Sequence, residues 1–255
     1  MSGTDSFLNR FDFKDEYLAS RGAKAEKILK VLKRNSALIN STALLDIGCS
    51  QGHITRIIGK RFKLAVGVDR DQIVERQSGF YFVRADGCKL PLKSSMFDVV
   101  LLNHVLEHVS DQERLLNETL RVLRPGGICY LATPNRYCII EPHYRLPFLS
   151  WLPRYLANFY VRLTGHGSCY LDYLPTQKQL RRLTQHFQVS DQTNLILSEP
   201  EFFFDSDPDL QKLTWFLRLI PFSLLKLLMP LFPVYVLILK RNRAGGPSLV
   251  SKKES

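Results

Sequence analysis

Cysteine is scarce and unpatterned in this chain of 255 residues. Cys49, Cys88, Cys129, Cys138 and Cys169 are far apart, odd in number and never in C-x-x-C spacing. Neither a disulfide framework nor a zinc cluster is expected from them. The opening MSGTDSFLNRFDFKDEYLAS lacks the apolar stretch of a secretory signal, so a reducing, cytosolic setting is the expectation. There is no internal repeat and no collagenous or low-complexity bias. Acidic residues are also short: 24 Asp and Glu stand against 35 Lys and Arg, a net charge of +11. That excess suits an acidic partner, such as nucleic acid or the anionic face of a membrane, or simply a solvated face. With 45% hydrophobic residues at this length, the chain needs no covalent staple for its core.

Apolar runs and helical stripes alternate. Phe13 to Arg34 reads as a helix, with Ala25, Ile28, Leu29 and Leu32 on one face. Ala43 to Gly48 is a short buried strand, followed by a helix from Gly52 to Lys60 and a strand from Leu64 to Asp69. Phe80 to Arg84 and Phe97 to Leu102 are the third and fourth strands. Ser110-x-x-Glu113 reads as a capping box opening a helix, Pro125-Gly126-Gly127 stops it, and Ile128 to Ala132 is the fifth strand. This spacing predicts βαβ units: an α/β, Rossmann-like sheet of seven mostly parallel strands with helices on both faces. Residues 134–175 hold nine aromatics and read as a cap insertion over the carboxyl rim of the sheet. A helix from Thr176 to His186 and a strand from Val189 to Leu197 return to the core. An apolar insertion at 198–232 then leads to a last strand, Val234 to Leu239. In domain terms, 1–41 is a helical segment, 42–241 the main domain and 242–255 a disordered tail.

The segment Asp46-Ile-Gly48-Cys-Ser50-Gln-Gly52 carries the chemistry. A glycine turn between strand and helix in such a sheet binds a nucleotide-like ligand. Gly48-x-x-x-Gly52 is not the G-x-G-x-x-G of a diphosphate site, and Asp46 would face the ligand. A carboxylate near a phosphate is costly, whereas near an ammonium it is favourable. S-adenosylmethionine, with its ammonium and sulfonium, satisfies that demand. Asp69, ending strand two, can accept both ribose hydroxyls, a role that NAD would use equally. Asp86 is placed to accept the adenine amino group, and Gly87 to admit the ring. Arg70 beside Asp69, and Asn103 ending strand four, complete the candidate cofactor set.

The pieces LLDIGCSQG, VGVD, RADGCKLPL, FDVVLLNHVLEHV and LRVLRPGGICYLATPN stand in order between 43 and 135. In this the chain resembles the class I S-adenosylmethionine-dependent methyltransferases. The resemblance implies that Asp46, Gly48 and Gly52 hold the methionine end, Asp69 the ribose and Asp86 the adenine. Ser50 departs from the family's D-x-G-x-G-x-G and is tolerable at negative φ.

Methyl transfer to a hydroxyl or acidic carbon needs a base. His104, just past strand four, is the first catalytic candidate and His143 of the cap the second; Glu141, Tyr144 and His166 of the cap could also touch substrate. His104, Glu107 and His108 share one face at helical spacing. This looks like the E-x-x-E-H metal motif of ubiquinone-pathway O-methyltransferases and small-RNA 3′-end methyltransferases, with His in place of the first Glu. Two imidazoles disfavour Mg²⁺, so no metal is expected, and Glu107 and His108 are the ligands if there is one.

Residues 213–239 are strongly apolar yet hold Arg218, Lys226 and three prolines, so a membrane-spanning helix is not expected. An amphipathic helix touching a membrane surface or a lipid-like substrate is the expectation, making the protein cytoplasmic or peripheral on a membrane. The overall expectation is O-methylation of a small-molecule or lipid-linked acceptor. The alternatives are a nicotinamide-dependent oxidoreductase and an RNA ribose methyltransferase. Base methylation is disfavoured, because Asn103-His104-Val105-Leu106 stands where an Asn/Asp-Pro-Pro-aromatic signature would be.

Overall fold

All five residues of β1 (Ala43–Ile47) are buried, as a strand covered on both faces requires. The computed structural model describes residues 14–35, 37, 42–71, 79–193 and 232–243. The other strands are β2 (Leu64–Asp69), β3 (Tyr81–Arg84), β4 (Phe97–Asn103), β5 (Leu123–Pro134), β6 (Gln188–Asp191) and β7 (Val234–Lys240). They form one seven-stranded sheet in the order β3-β2-β1-β4-β5-β7-β6. β1 pairs in parallel with both β2 and β4, whereas β7 runs antiparallel between β5 and β6. The chain order therefore reverses between β1 and β4, the crevice where sheets of this kind take their ligands.

Strict alternation along the strands splits the core into two layers. Leu44, Ala65, Val99 and Leu101 face α1 (Lys14–Arg34), whose Ala25, Ile28, Leu29 and Leu32 form the expected stripe, together with Ile58 of α2 (His53–Gly59). Leu45, Val66, Val100 and Leu102 face the opposite way, onto Leu115, Leu116 and Val122 of α3 (Gln112–Val122) and Leu180 of α5 (Gln177–Leu183). At the amino rim, Asp98 clamps β1 to β4 and β5. Its carboxylate accepts the Thr42 and Ala43 amides, each at 2.8 Å, and the Arg124 guanidinium at 2.8 Å. Burial opposes ionisation there, but these donors outweigh it and hold the Asp98 carboxyl below its ordinary value.

Several boundaries differ from expectation: β6 covers Gln188–Asp191 where a strand from Val189 to Leu197 was expected, and three others have a local cause. The cap of α3 is Asp111, not Ser110: Asp111 Oδ1 accepts the Arg114 amide at 3.0 Å, because the helix begins one residue later and Asp caps as well as Ser. Pro125-Gly126-Gly127 bars the helix but not the strand, since β5 continues across it with a register shift opposite Phe97 and Val99. α5 starts at the full capping box of Thr176 and Gln179 but ends at Leu183, short of His186.

Residues 135–175 leave β5 and wrap around a small core of their own, built on Cys138, Leu146, Leu149, Ala157, Val161 and Tyr170. It contains a 3₁₀ turn at Leu149–Trp151 and α4 (Arg154–Leu163). The two ends of this segment meet where the Arg136 amide donates to the Pro175 carbonyl at 3.2 Å. The expected 198–232 insertion, except Phe232, lies outside the described residues, as do the helix expected within 213–231 and the tail beyond Arg243. Among the described residues no helix is long and apolar enough to cross a membrane.

Candidate functional site

The β1–α2 loop alternates in hand: Gly48, Ser50 and Gly52 all lie in the left-handed region, at φ 74°, 49° and 75°. Two of these require glycine outright. A Cβ on Gly48 would lie 2.5 Å from Val105 Cγ2, and one on Gly52 would lie 2.3 Å from the Phe80 ring. Ser50 contradicts the expectation of a negative φ. It is held in this strained state by its amide, which donates to Asp69 Oδ2 at 2.7 Å.

The loop's amides are largely taken. Gly48 and Cys49 both donate to the Val68 carbonyl, Gly52 donates to Cys49, and Ser50 is bonded to Asp69. A diphosphate would find few free N–H groups here and two carboxylates nearby. Asp46 is buried in β1 beside Gly67 and Leu101, and Thr55 of α2 donates to its Oδ2 at 2.6 Å. Burial pushes its pKa up to about 7; the Thr55 bond opposes this and the neighbouring Asp69 charge adds to it. Burial, with the same two carboxylates, also keeps the Cys49 thiol protonated, so the loop holds no thiolate nucleophile.

Asp69 Oδ1 accepts the Asp71 amide at 3.1 Å. Arg70 is exposed and offers its carbonyl to Arg84 Nε at 2.9 Å. Asp86 is exposed past β3, with Oδ1 accepting the Cys88 amide at 2.9 Å. The three acids thus stand at the carboxyl ends of adjacent strands, with Asp46 and Asp69 in electrostatic contact. These carboxylate acceptors fit a ligand with an ammonium and hydroxyls. At Gly87, beside Asp86, a Cβ would lie 2.9 Å from both Ile47 and Leu115, so the core beneath the rim also requires glycine there.

Beside this loop, β4 ends in a polar cluster. Asn103 pairs with Ala132 of β5, and His104 follows in the left-handed region at φ 57°, its amide donating to the Ala132 carbonyl. That turn breaks any continuous helix. The shared helical face expected for His104, Glu107 and His108 is instead a single 3₁₀ turn, Leu106–His108, which brings residues three apart into line. Glu107 is fully buried. Its Oε1 stands 3.2 Å from His104 Nδ1 and 3.8 Å from His143 Nε2, and its Oε2 accepts Thr133 Oγ1 at 3.1 Å. Burial alone would raise its pKa, but His104 and His143 outweigh that and hold it at about 2. His108 turns away to Asp172 Oδ1 at 2.8 Å, and that bond lifts its pKa. The rings of His108 and His143 meet edge-on at 4.9 Å. The carboxylate of Glu107 raises the pKa of His143 as well.

Expected and observed candidates therefore meet in part. His104, Glu107, His108 and His143 come together, whereas His166 is exposed at the end of α4, its Nδ1 2.9 Å from the Thr164 carbonyl. Glu141 is buried and accepts the amides of His143 and Tyr144 on Oε2. Thr55, Thr133 and Asp172 were missed. A threonine within the apolar strand ICYLATP was the one legible signal; Asp172 had none, being 64 residues from its partner His108. Glu141 Oε1, His143 Nε2 and Tyr170 Oη are buried without hydrogen-bond partners. Two donor groups, Glu107–His108–His143 and Glu141–His143–Asp172, each have ligating atoms within 4.8 Å of one another and are where a metal could be held.

Residues 45–131 match the model of a methyltransferase domain. A probable S-adenosylmethionine-dependent methyltransferase of Mycolicibacterium smegmatis is 34% identical over 98 residues, covering 36% of this chain and 38% of that protein. A ubiquinone biosynthesis O-methyltransferase of Bartonella tribocorum is 29% identical over 126 residues, covering 44% of this chain and 50% of that protein. The chain thus spans half or less of the length of these relatives. Among solved structures, the plantazolicin methyltransferase BpumL, in complex with a monoazolic desmethylPZN analog and SAH, has a TM-score of 0.58 at 19% identity. That likeness covers 94% of this chain and 90% of that one, and it speaks for the fold. Residues 45–131 are thus similar to methyltransferase domains, and the chain as a whole has the expected Rossmann-like fold. The nicotinamide alternative finds no support in these likenesses or in the occupied amides of the loop.

Proposed function

We propose that this protein transfers the methyl group of S-adenosylmethionine to a hydroxyl of a small-molecule or lipid-linked acceptor, with His104 as the base. The observation that carries this reading is buried Glu107, ionised and directed at His104 Nδ1 beside the glycine loop. In the tautomer with its proton on Nδ1, His104 donates to Glu107 and leaves Nε2 free to take the acceptor's proton. Glu107 would then stabilise the imidazolium that forms, as a buried carboxylate does for any oriented histidine base.

Asp46 and Asp69 would hold the ammonium and ribose ends of the cofactor, with Asp86 toward the adenine; Arg70 and Asn103 border the same rim. The cofactor, when bound, supplies an electrophilic methyl group on sulfur for in-line displacement. Val105 packs over Gly48, so the base and the cofactor loop are held by one contact. Buried Glu141 Oε1 and Tyr170 Oη, without hydrogen-bond partners, give a polar acceptor something to bond. His143, facing Glu107, would assist in placing that acceptor. The O-methyltransferase named among the relatives agrees with a hydroxyl acceptor.

Incubation of cell lipid and metabolite extracts with the protein and methyl-labelled cofactor, followed by mass spectrometry, tests this. Label on a hydroxyl of a small or lipid-linked molecule is expected, and label confined to RNA would refute it. Glu107→Gln should keep cofactor binding and lower kcat by about a hundredfold or more, the usual worth of a positioned base. An unchanged kcat would remove His104 from that role.

A further inference from the structure

A helix lying on a protein surface normally turns its polar side outward. α4 does the reverse. Ala157 and Val161 fill its inward face, while Tyr155, Phe159 and Leu163 are 70%, 60% and 72% exposed on the opposite side, with Leu156 at 40%. At 100° per residue these four fall within an arc of about 100° centred opposite the buried pair. The chain just before α4 continues the pattern. Phe148 sits in the left-handed region at φ 55° with its ring half exposed, edge-on to exposed Trp151 at 5.2 Å. Trp151 in turn meets exposed Tyr137 edge-on at 5.9 Å.

Within 134–175 the exposed Asp, Glu, Lys and Arg side chains have one sign of charge. Between 134 and 175 the acids are Glu141 and Asp172, and both are buried. Arg145, Arg154 and Arg162 are all exposed. Arg154 lies 4.5 Å over the Tyr173 ring, leaving Arg145 and Arg162 to face solvent more freely. An outward stripe of Leu, Phe, Tyr and Trp, flanked within this segment by exposed arginines and no exposed acid, matches the boundary between phospholipid headgroups and acyl chains. A protein partner of mixed surface charge would call for some exposed acid here.

We infer that α4 and the preceding Phe148–Trp151 turn form a surface that seats on an anionic phospholipid bilayer, with Phe159 and Leu163 inserted and the arginines at headgroup level. This surface is independent of the methyl-transfer reading, because its occupancy needs no cofactor.

Flotation of the full chain with vesicles of phosphatidylcholine alone, or of equal parts phosphatidylcholine and phosphatidylglycerol, tests it. The protein is expected to float with the anionic vesicles, less so as salt is raised. Phe159→Glu and Leu163→Glu should each lower partitioning by roughly tenfold or more, the worth of one large apolar side chain removed from water. Both side chains point outward, so melting curves of these variants should match the parent. Arg162→Ala should weaken binding to anionic vesicles. Failure of the parent to float with either vesicle overturns the inference, as does equal flotation of the Phe159 and Leu163 variants. A parent that sediments as a dimer, with Phe159→Glu a monomer, would assign the face to a second copy and overturn it equally.

Discussion

With Asp46 holding the cofactor's ammonium as proposed, binding is expected to release a proton. The Asp46 carboxyl has an ordinary pKa of 3.8, and burial in β1 raises it to about 7 in the folded chain. The sign follows: stability is fully present below about 3.8 and declines as the pH rises through 7, because the charged form is the one that burial penalises. An ammonium arriving at the loop reverses the preference and favours the carboxylate. Affinity should then follow the fraction of Asp46 already ionised. That fraction is about nine tenths near pH 8 and about one tenth near pH 6, so S-adenosylhomocysteine should bind about tenfold more weakly at the lower pH. Calorimetry near pH 7, repeated in buffers of different ionisation enthalpy, should report about half a proton released per ligand. Asp46→Asn should bind weakly at both pH values with no slope, whereas His104→Ala should keep the parent's slope. Equal affinity of the parent at both pH values, without proton release, would refute the role given to Asp46.

Ser50→Gly should relieve the left-handed strain at φ 49° and raise stability toward urea by up to about 1 kcal/mol; a loss would mean that the hydroxyl holds the loop. Gly48→Ala should cost about 2 kcal/mol or more, since it adds a Cβ 2.5 Å from Val105 at positive φ. The Asp172 bond lifts His108 above its ordinary 6.5, so that stabilisation is complete below 6.5 and fades as the pH rises through the lifted value. His108→Gln should therefore lower Tm more near pH 5.5 than near pH 8.5. The effect should stay under about 1 kcal/mol because His108 is half exposed. An equal loss at both pH values would remove the ion pair from the account.

The central strands were legible because they are buried on both faces and read as uninterrupted apolar runs: Leu64–Asp69 was expected to the residue, and Phe97 to Leu102 ran one residue short, whereas exposed β6 was misjudged. The glycine loop was legible for the same reason that it is conformationally restricted, since only glycine fits at 48 and 52. Where local competition is close, the sequence misled. Ser110 and Asp111 cap equally well, and nothing local distinguishes them. The sign of φ at Ser50 is set by Asp69, 19 residues away, and so was invisible. His104 and Glu107 were visible as residue types. Their pairing, however, depends on a left-handed turn at His104 that no residue preference announces. Asp172 reached His108 only through the fold of an irregular segment.

Both ends of the 135–175 segment come together at the Arg136–Pro175 bond, so the excursion leaves and rejoins the sheet at nearly one point. Such an excursion works as a cassette: its length and composition can be exchanged without stretching any strand beneath it. Further ties run to the turn after β4, where Tyr173 donates its amide to the Glu107 carbonyl and Gln112 Nε2 bridges the Leu106 and Tyr173 carbonyls. A transplant that keeps those three bonds would set a new cassette against an unaltered His104–Glu107 pair, and one that breaks them would shift that pair as well.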